Sequence, residues 1–478
     1  MQFHSELPLV ESVDVADPLA AARALVNLPH PFLLHSAATD ARARWSFFGA
    51  DPFAVFRGPD YDGACALWRR LAREARANDE LPTLVPFTGG VVGYWAYDFG
   101  RRLETLPAIA ADDLGLPDVV LGFYDVVGAY DHETRQAWLF SSGLPLEGAP
   151  RAARARDRLR QVLQILSAGR RTTVRLPVRR DEVSHPRSTF TPDGYRAAVD
   201  RVRAEIARGQ IFQANLSQRW TIETDTEPTP FALAIADALA LFSPAPYGAF
   251  LGCGDHAVAS ASPERFLELR GRRVETRPIK GTRPRGADAD TDAALRAALL
   301  GSEKDRAENV MIVDVLRNDL GRVCEAGSVE VSGLCELEVF PQVFHLTSTV
   351  TGTLAAGRDA FDLLHACFPG GSITGAPKIR AMELLEAIEP VRRHLYTGSI
   401  GYLDWRGDAD WNIAIRTAIV TPTALHFAAG GGITSDSDPD AELRETLDKA
   451  EGMRIALERV VGPVEIDAAA ARLGAGGA

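Results

Sequence analysis

Short apolar runs separated by turn residues dominate roughly the first 185 positions of the chain. They occur at 32–37, 89–100, 119–130 and 136–143, and their lengths are typical of strands. An arginine-rich polar helix is predicted at 150–168, and the polar, proline-containing stretch 170–189 is the best linker candidate. A clear amphipathic helix follows, with Thr191 as N-cap, Pro192 in the first turn and Gly209 as the stop.

Strand-like and helix-like segments then alternate to about residue 460. Because several strands alternate in polarity and are joined by hairpin-like turns, the pattern predicts an α+β fold with large antiparallel or mixed sheets covered by helices. We place a domain boundary at 188/189 and predict that 461–478 is a weakly helical tail.

Composition excludes several classes of protein. The net charge of −12 argues against nucleic acid or an anionic membrane as partner. No apolar run approaches the length of a membrane span, and the acidic N-terminus does not resemble a signal peptide, so a cytoplasmic location is expected. The five cysteines are scattered and are interpreted as reduced core thiols.

One lysine is unusual. Of the 52 basic residues only four are lysine, and Lys280 lies in "RPIKGTRPRG". Arginine stays protonated, whereas a desolvated lysine can act as a base or nucleophile. Glu264 precedes it by sixteen residues, with a predicted hairpin between them. The two are therefore either an acid and nucleophile pair in a cleft or a surface ion pair.

Two predicted helices carry spaced carboxylates. Asp305 and Glu308 share one face of the first, and Glu442 and Glu445 share one face of the second with Lys449. Such carboxylates suit Mg²⁺, although solvated charged faces are the usual explanation. The glycine-rich stretches 368–380 and 427–438 are predicted to be loops leading into helices, either as anion-binding backbone or as tight turns.

Other polar residues lie in apolar surroundings. Arg416 is predicted within an apolar strand, where it needs an anionic partner. His345 and Tyr396 also lie in strand-like runs. Each is either a core residue with its hydrogen bonds satisfied or a residue of a binding site. No serine or cysteine occupies a nucleophile elbow, and Cys253 lacks a convincing histidine partner. We therefore expect no glutaminase active site in this chain.

Nine stretches, taken together, resemble the chorismate-utilising enzymes: 211–219, 262–266, 277–286, 305–323, 344–352, 370–385, 397–404, 412–420 and 430–450. The resemblance implies a chorismate-binding catalytic domain at 189–460 and an anthranilate-synthase-like N-terminal domain at 1–188. It also implies a two-layer sandwich like that of anthranilate synthase component I. The stretch 86–107 is most similar to aminodeoxychorismate synthase component I.

The residue at position 280 separates members of this family. Anthranilate synthases typically have alanine at the position of Lys280, and aminodeoxychorismate synthases have lysine. Isochorismate and salicylate synthases carry a water-activating lysine where this chain has Gln213. The resemblance therefore implies amination of chorismate at C4, with Lys280 as nucleophile and Glu264 as general acid for the departing hydroxyl.

The resemblance also implies roles for other residues. Glu308 and Glu445 would hold Mg²⁺, with Asp305 and Glu442 reaching its waters. The remaining substrate contacts would be Lys449 and Gly430, Gly431 and Gly432 at the ring carboxylate, Tyr396 and Arg416 at the enolpyruvyl carboxylate, and Thr282, His345 and Ser372 along the ring.

The resemblance also implies a source of ammonia and leaves alternative functions open. Ammonia is expected from a separate glutamine amidotransferase subunit or from free ammonium. A tryptophan pocket near Ser36 and Trp45 is a further expectation, although "LLHS" departs from the usual "LLES". The rival readings are anthranilate synthase component I, a pyridoxal phosphate enzyme with Lys280 as Schiff base, and an inactive binding subunit.

Overall fold

The computed structural model describes residues 7–38, 44–78, 85–169, 183–340 and 343–466. The helices in these ranges are α1 Pro18–Leu25, α2 Tyr61–Asn78, α3 Gly100–Leu103, α4 Gly148–Gly169, α5 Pro192–Ala207, α6 Pro228–Phe242, α7 Ala289–Leu300, α8 Glu303–Gly321, α9 Ala360–Cys367, α10 Lys378–Ile388 and α11 Pro439–Val461. A short 3-10 helix at Gly371–Ile373 precedes α10.

The strands before residue 189 are β1 Leu9–Val13, β2 Phe32–His35, β3 Trp45–Gly49, β4 Ala54–Arg57, β5 Gly90–Trp95, β6 Val119–Tyr124, β7 Val126–Asp131, β8 Gln136–Ser141 and β9 Arg187–Ser188. The later strands are β10 Gln213–Glu223, β11 Tyr247–Gly252, β12 Ala257–Ser262, β13 Arg265–Arg270, β14 Arg273–Thr276, β15 Ile279–Pro284, β16 Glu330–Val339, β17 Val343–Thr353, β18 Gly375–Ala376, β19 Ser399–Asp404, β20 Ala409–Asn412, β21 Thr417–Val420 and β22 Ala424–Ile433.

These strands form two large sheets within the described ranges. The twelve-stranded sheet runs β1-β8-β7-β3-β2-β11-β12-β21-β22-β10-β18, with β9 beside β10. The ten-stranded sheet runs β15-β17-β14-β13-β20-β19-β5-β6-β4, with β16 beside β17. The strand ladders are antiparallel, for example Leu216 opposite Gly431 and Gly93 opposite Leu121. The predicted α+β class is thereby confirmed.

Both sheets combine strands from the two sides of residue 188. In the twelve-stranded sheet β2 pairs with β11, and in the ten-stranded sheet β5 pairs with β19. The two sequence segments are therefore joined by backbone hydrogen bonds, and the boundary at 188/189 stays a prediction. Most of the linker candidate, 170–182, and the end of the tail, 467–478, lie outside the described residues.

The core is arranged in layers. One apolar cluster contains inward residues of both sheets, among them Phe32, Tyr94, Tyr124 and Val258. A second lies between the twelve-stranded sheet and α1, α4, α6 and α11, and a third lies between the ten-stranded sheet and α2, α8 and α9. The layers therefore form a sandwich of two sheets covered by helices, as predicted.

Local predictions can be compared with these elements. The helix predicted at 150–168 is α4, and Thr191 caps α5 by accepting from the Gly194 N–H. The predicted hairpin is β13–β14, which turns at Gly271 in the left-handed region (φ +57). None of the helices in the described part of the chain is long and apolar enough to cross a membrane.

The prediction of a loop at 427–438 is wrong for its first half, because residues up to Ile433 belong to β22. Glycine normally weakens a strand, so the run of three glycines indicated a loop. Here the glycines allow a close approach: a Cβ at Gly432 would lie 1.9 Å from Nε2 of Gln213, and one at Gly430 would lie 2.4 Å from the carbonyl oxygen of Leu216.

Candidate active site

Glu264 and Lys280 come together where β13 and β15 begin. β14 and β15 pair with successive parts of the same strand, β17, so β15 continues the line of β14 past Pro278. Glu264, directly before β13, lies beside this continuation, and its carboxylate accepts the backbone N–H of Ile279. The predicted proximity is confirmed, although β13 and β15 do not share a ladder.

Ser372, in the 3-10 helix before α10, contacts both groups. Its hydroxyl donates to Oε1 of Glu264 at 2.7 Å, and its carbonyl oxygen accepts from Nζ of Lys280 at 3.0 Å. Glu264 and Ser372 are 6% and 8% exposed. The family resemblance implied for Ser372 only a position along the ring, and its contact with both groups depends on tertiary structure.

The protonation of this pair is set by burial. Burial raises the pKa of Glu264, and this outweighs the hydrogen bond from Ser372 and the charge of Lys280. Burial lowers the pKa of Lys280; the charge of Glu308 raises it and that of Lys449 lowers it. Both shifts favour the neutral forms, which are a proton donor and a nucleophilic amine.

Lys378, the first residue of α10, is a lysine that does not act on Lys280. Its Nζ lies 2.6 Å from Oδ2 of Asp319 and donates to the carbonyl of Cys367 at 2.8 Å. The ion pair anchors the start of α10 to α8. The cation that does act on Lys280 is Lys449, whose Nζ donates to the Gly430 carbonyl at 3.0 Å.

The four candidate carboxylates lie on α8 and α11 and face the same region. Glu308 and Glu445 each act on the pKa of Lys280, and the charge of Glu445 also acts on the pKa of Glu308. Burial raises the pKa of Glu308. Burial also acts to raise the pKa of Glu445, but its ion pair with Lys449, at 2.6 Å, outweighs this and lowers it.

The surroundings of Glu442 test whether a metal would fit. Its Oε1 accepts from Ser437 at 2.6 Å, while Oε2 is buried and has no hydrogen-bond partner in the described ranges. Oε2 of Glu442 and Oε1 of Glu445 both lie against Gly431. Among the residues that the structure describes, no group of three His, Cys, Asp or Glu side chains lies close enough together to hold a metal ion by itself. Separated carboxylates with an unused oxygen suit Mg²⁺, which keeps several waters.

Arg416 lies outside a strand, contrary to the prediction. It directly precedes β21 with φ +50, a left-handed conformation that is uncommon for residues other than glycine. Its guanidinium has no hydrogen-bond or ion-pair partner among the residues that the structure describes, and burial lowers its pKa. A half-buried cation without a counter-charge is suited to an anionic ligand.

Tyr396 is buried in the turn before β19, and is likewise not in a strand. Burial raises the pKa of its phenol, which therefore stays protonated and able to donate. Gln213 begins β10 and leaves Oε1 buried without a partner in the described ranges. Thr282 and His345 pair directly, with Oγ1 and Nδ1 2.9 Å apart.

Ser36 and Trp45 lie together in the N-terminal part of the twelve-stranded sheet. The Ser36 hydroxyl donates to the carbonyls of Trp45 and Pro246 at 2.8 and 3.1 Å. His35 stacks on His132, with ring centroids 6.2 Å apart. The tryptophan pocket suggested at Ser36 and Trp45 stays a prediction.

The chain matches a known protein family over most of its length. A model of the family described as chorismate binding enzyme matches residues 30–454. The chain belongs to this family.

Curated relatives of this chorismate binding enzyme carry two names. Anthranilate synthase component 1 of Mycolicibacterium smegmatis is 38% identical over 94% of this chain and 90% of its own length. Aminodeoxychorismate synthase component 1 of Bacillus subtilis is 36% identical over 90% and 92%, and that of Klebsiella aerogenes 43% over 78% and 78%. Overall identity therefore does not separate the two activities.

Solved structures agree on the fold. Anthranilate synthase component I from Streptococcus pneumoniae superimposes with a TM-score of 0.73 and 31% identity, covering 86% of this chain and 92% of that one. The menaquinone-specific isochorismate synthase MenF from Escherichia coli gives 0.72 at 19% identity, covering 95% of each chain. The second likeness concerns the fold alone.

Proposed function

We propose that this chorismate binding enzyme is an aminodeoxychorismate synthase component I, which converts chorismate and ammonia to 4-amino-4-deoxychorismate on the route to p-aminobenzoate and folate. One observation carries the proposal: a half-buried lysine, whose amine pKa is lowered by desolvation, shares its contact with Ser372 with a buried carboxyl whose pKa is raised. An arginine at position 280 could not release its proton to act as a nucleophile.

The proposed reaction has two displacements. The lone pair of Lys280 Nζ forms a bond to C2 of chorismate, the ring double bonds shift, and the C4–O bond breaks as Glu264 gives its proton to the departing hydroxyl. Ammonia then bonds to C4, the double bonds shift back, and the C2–Nζ bond breaks. The ring regains its original unsaturation with an amine in place of the hydroxyl.

The rest of the site would bind the substrate. Arg416 and Tyr396 offer a cation and a hydroxyl to the enolpyruvyl carboxylate, and Lys449 lies beside the Gly430 backbone for the ring carboxylate. Mg²⁺, when held by Glu308 and Glu445 with Asp305 and Glu442 at its waters, would supply positive charge at that carboxylate. Gln213, Thr282, His345 and Gly432 would complete the walls.

Ammonia would come from a separate glutamine amidotransferase subunit, because no nucleophile elbow is recognisable in the sequence. The cytoplasmic location remains part of the proposal. The second candidate is anthranilate synthase component I, which is favoured by the similar identity of the relatives that bear that name.

Identification of the product tests the proposal. Purified protein is incubated with chorismate, Mg²⁺ and ammonium, and the product is identified by NMR. We expect the 4-amino isomer from the wild type. Lys280→Ala should abolish it or shift amination to C2, and Lys280→Arg, which keeps the charge but not the nucleophile, should behave likewise.

A second incubation, without ammonia, should leave a chorismate-derived adduct on the peptide that contains Lys280, detected by mass spectrometry. A product that is solely the 2-amino isomer, or full 4-amination by Lys280→Ala, would overturn the proposal. A yellow purified protein would indicate pyridoxal phosphate, and no consumption of chorismate would indicate an inactive subunit.

A further inference from the structure

A buried ion pair contacts segments that carry candidate site residues. Arg393 and Glu389 are 6% and 7% exposed. The guanidinium binds the carboxylate in a bidentate manner, with Nε 2.8 Å from Oε2 and Nη2 2.7 Å from Oε1. Neither residue carries any of the reacting groups proposed above. No sequence pattern distinguishes this pair, because 48 of the 52 basic residues are arginine.

The remaining donors of Arg393 reach three other segments. Nη1 donates to the carbonyl of Ile373 at 3.0 Å and to Oγ1 of Thr397 at 3.3 Å. Nη2 also donates to the carbonyl of Asn215. The guanidinium carbon lies 4.7 Å from the centre of the Tyr97 ring, so the face of the guanidinium is in contact as well as its edges.

Each of these contacts lies close in sequence to a candidate substrate contact. Ile373 follows Ser372, and Thr397 follows Tyr396. Asn215 lies two residues after Gln213 on β10. Three separate segments that line the site are therefore held by one side chain.

Glu389 extends the connection to β10. Its Oε1 accepts both the backbone N–H and the hydroxyl of Ser217, at 2.9 and 2.8 Å. The carboxylate is thus satisfied on both oxygens, and the pair has the full hydrogen bonding that a buried ion pair requires. Breaking it would leave a charge buried and three segments without a common contact.

We propose that the Arg393–Glu389 pair positions the chorismate site, by fixing Ser372, Tyr396 and Gln213 relative to one another. The proposal rests on the roles assigned to those three residues. Through Ser372 the pair acts on the acid and the amine, and through Tyr396 it acts on the substrate carboxylate. Lysine cannot replace Arg393, because one ammonium cannot reach the carboxylate, Ile373 and Thr397 with a planar fork.

Three variants of the full chain test this. Arg393→Met removes the charge and the fork, and Arg393→Lys keeps only the charge. Arg158→Met is the matched control, because Arg158 is also a mostly buried arginine bound to carboxylates, those of Asp51 and Asp125. For each, thermal unfolding, kcat for total chorismate consumed, and the Kd for chorismate measured by calorimetry are compared at a temperature at which the variant is folded.

We expect both Arg393 variants to lose at least about tenfold in kcat and tenfold in chorismate affinity. Arg393→Lys should recover part of the stability lost in Arg393→Met without recovering kcat. Arg158→Met should lower the Tm while leaving kcat and Kd within about twofold of the wild type.

The proposal is overturned if folded Arg393→Lys keeps kcat and Kd within about twofold of the wild type, or if Arg158→Met loses as much as the Arg393 variants. Because the assay follows chorismate consumed, a wild type that makes the 2-amino product would refute the proposed function and still leave the positioning role measurable.

Discussion

The hydroxyl of Ser372 donates to Oε1 of Glu264 at 2.7 Å, inside a site where burial raises the pKa of that carboxyl. The hydrogen bond stabilises the ionised form and so limits the increase. The same residue accepts from Lys280 through its carbonyl oxygen. Ser372 therefore limits the proton affinity of Glu264 and helps to orient Lys280.

Removal of the Ser372 hydroxyl should raise the pKa of Glu264 further. We expect Ser372→Ala to show a higher pKa for this carboxyl than the wild type, because the donor to its charged form is lost. The measurement is a carboxyl-carbon NMR titration, in which the signal absent from Glu264→Gln assigns the resonance. An unchanged or lower pKa in Ser372→Ala would show that the hydrogen bond does not form in solution.

The pH dependence of the rate should depend on Glu264. The active form needs a neutral Lys280, whose ordinary pKa of 10.5 is lowered, and a protonated Glu264, whose ordinary pKa of 4.5 is raised. The wild type should therefore show a rising and a falling limb. Glu264→Gln should be slower by about 10²–10⁴-fold and keep only the rising limb, since no acid remains to lose its proton.

A pH series of kcat/KM for both proteins checks this. The control is Glu268→Gln, which removes a carboxylate farther along β13 and should keep both limbs. If Glu264→Gln retains a falling limb like that of the wild type, the general acid is another group.

Arg416→Met should separate affinity from stability. The side chain is half-buried with no partner in the described ranges, so removing its charge should leave the free energy of unfolding unchanged or raise it. The loss of its contact with a substrate carboxylate should raise the KM for chorismate by about 30-fold or more. Denaturant unfolding and steady-state kinetics measure the two effects, and a destabilised variant with normal KM would mean that Arg416 has a structural partner instead.

Acid should destabilise the protein through His35. Burial and the neighbouring His132 lower its pKa from 6.5 to about 4. When the pH is lowered from 7 to 5, the unfolded chain therefore gains a proton at this position that the folded chain does not. The free energy of unfolding should fall by about 2 kcal/mol because of this group. His35→Gln should remove this part of the slope in denaturant unfolding, and His185→Gln, at an exposed position, should keep it. An unchanged slope in His35→Gln would show that His35 is accessible to protons in the folded state.

Magnesium should stabilise the ligand-free protein through the α8 and α11 carboxylates. Millimolar Mg²⁺ should raise the Tm, because a ligand that binds only the folded state shifts the unfolding equilibrium. The double variant Glu308→Gln/Glu445→Gln should abolish the increase. The control Glu383→Gln, which removes the carboxylate of a surface ion pair on α10, should keep it. The same increase in all three proteins would place the ion elsewhere.

Element types followed largely from local sequence. The Thr191 cap, the β13–β14 hairpin and the helices that carry Glu308 and Glu445 were predictable, because caps, turns and helical spacing depend on neighbours within a few residues. Where the prediction was wrong, at the three glycines of β22, a tertiary contact overrode the local preference: Gln213 and Leu216 leave no room for a side chain. Arg416 was misplaced because its left-handed backbone is not encoded by residue type.

The sequence by itself determined which chemistry was available: a scarce lysine, a glutamate sixteen residues before it, spaced carboxylates on two helices, and motifs that resemble one family. Tertiary structure decided which of those groups lie in contact and which protonation state each one favours. The approach of the segment 370–373 to β15 brings Ser372 against both Glu264 and Lys280, and burial is the largest cause that moves their pKa values toward the neutral forms. Desolvation and contacts between distant segments are properties of the packed fold, so no local pattern along the chain contains them.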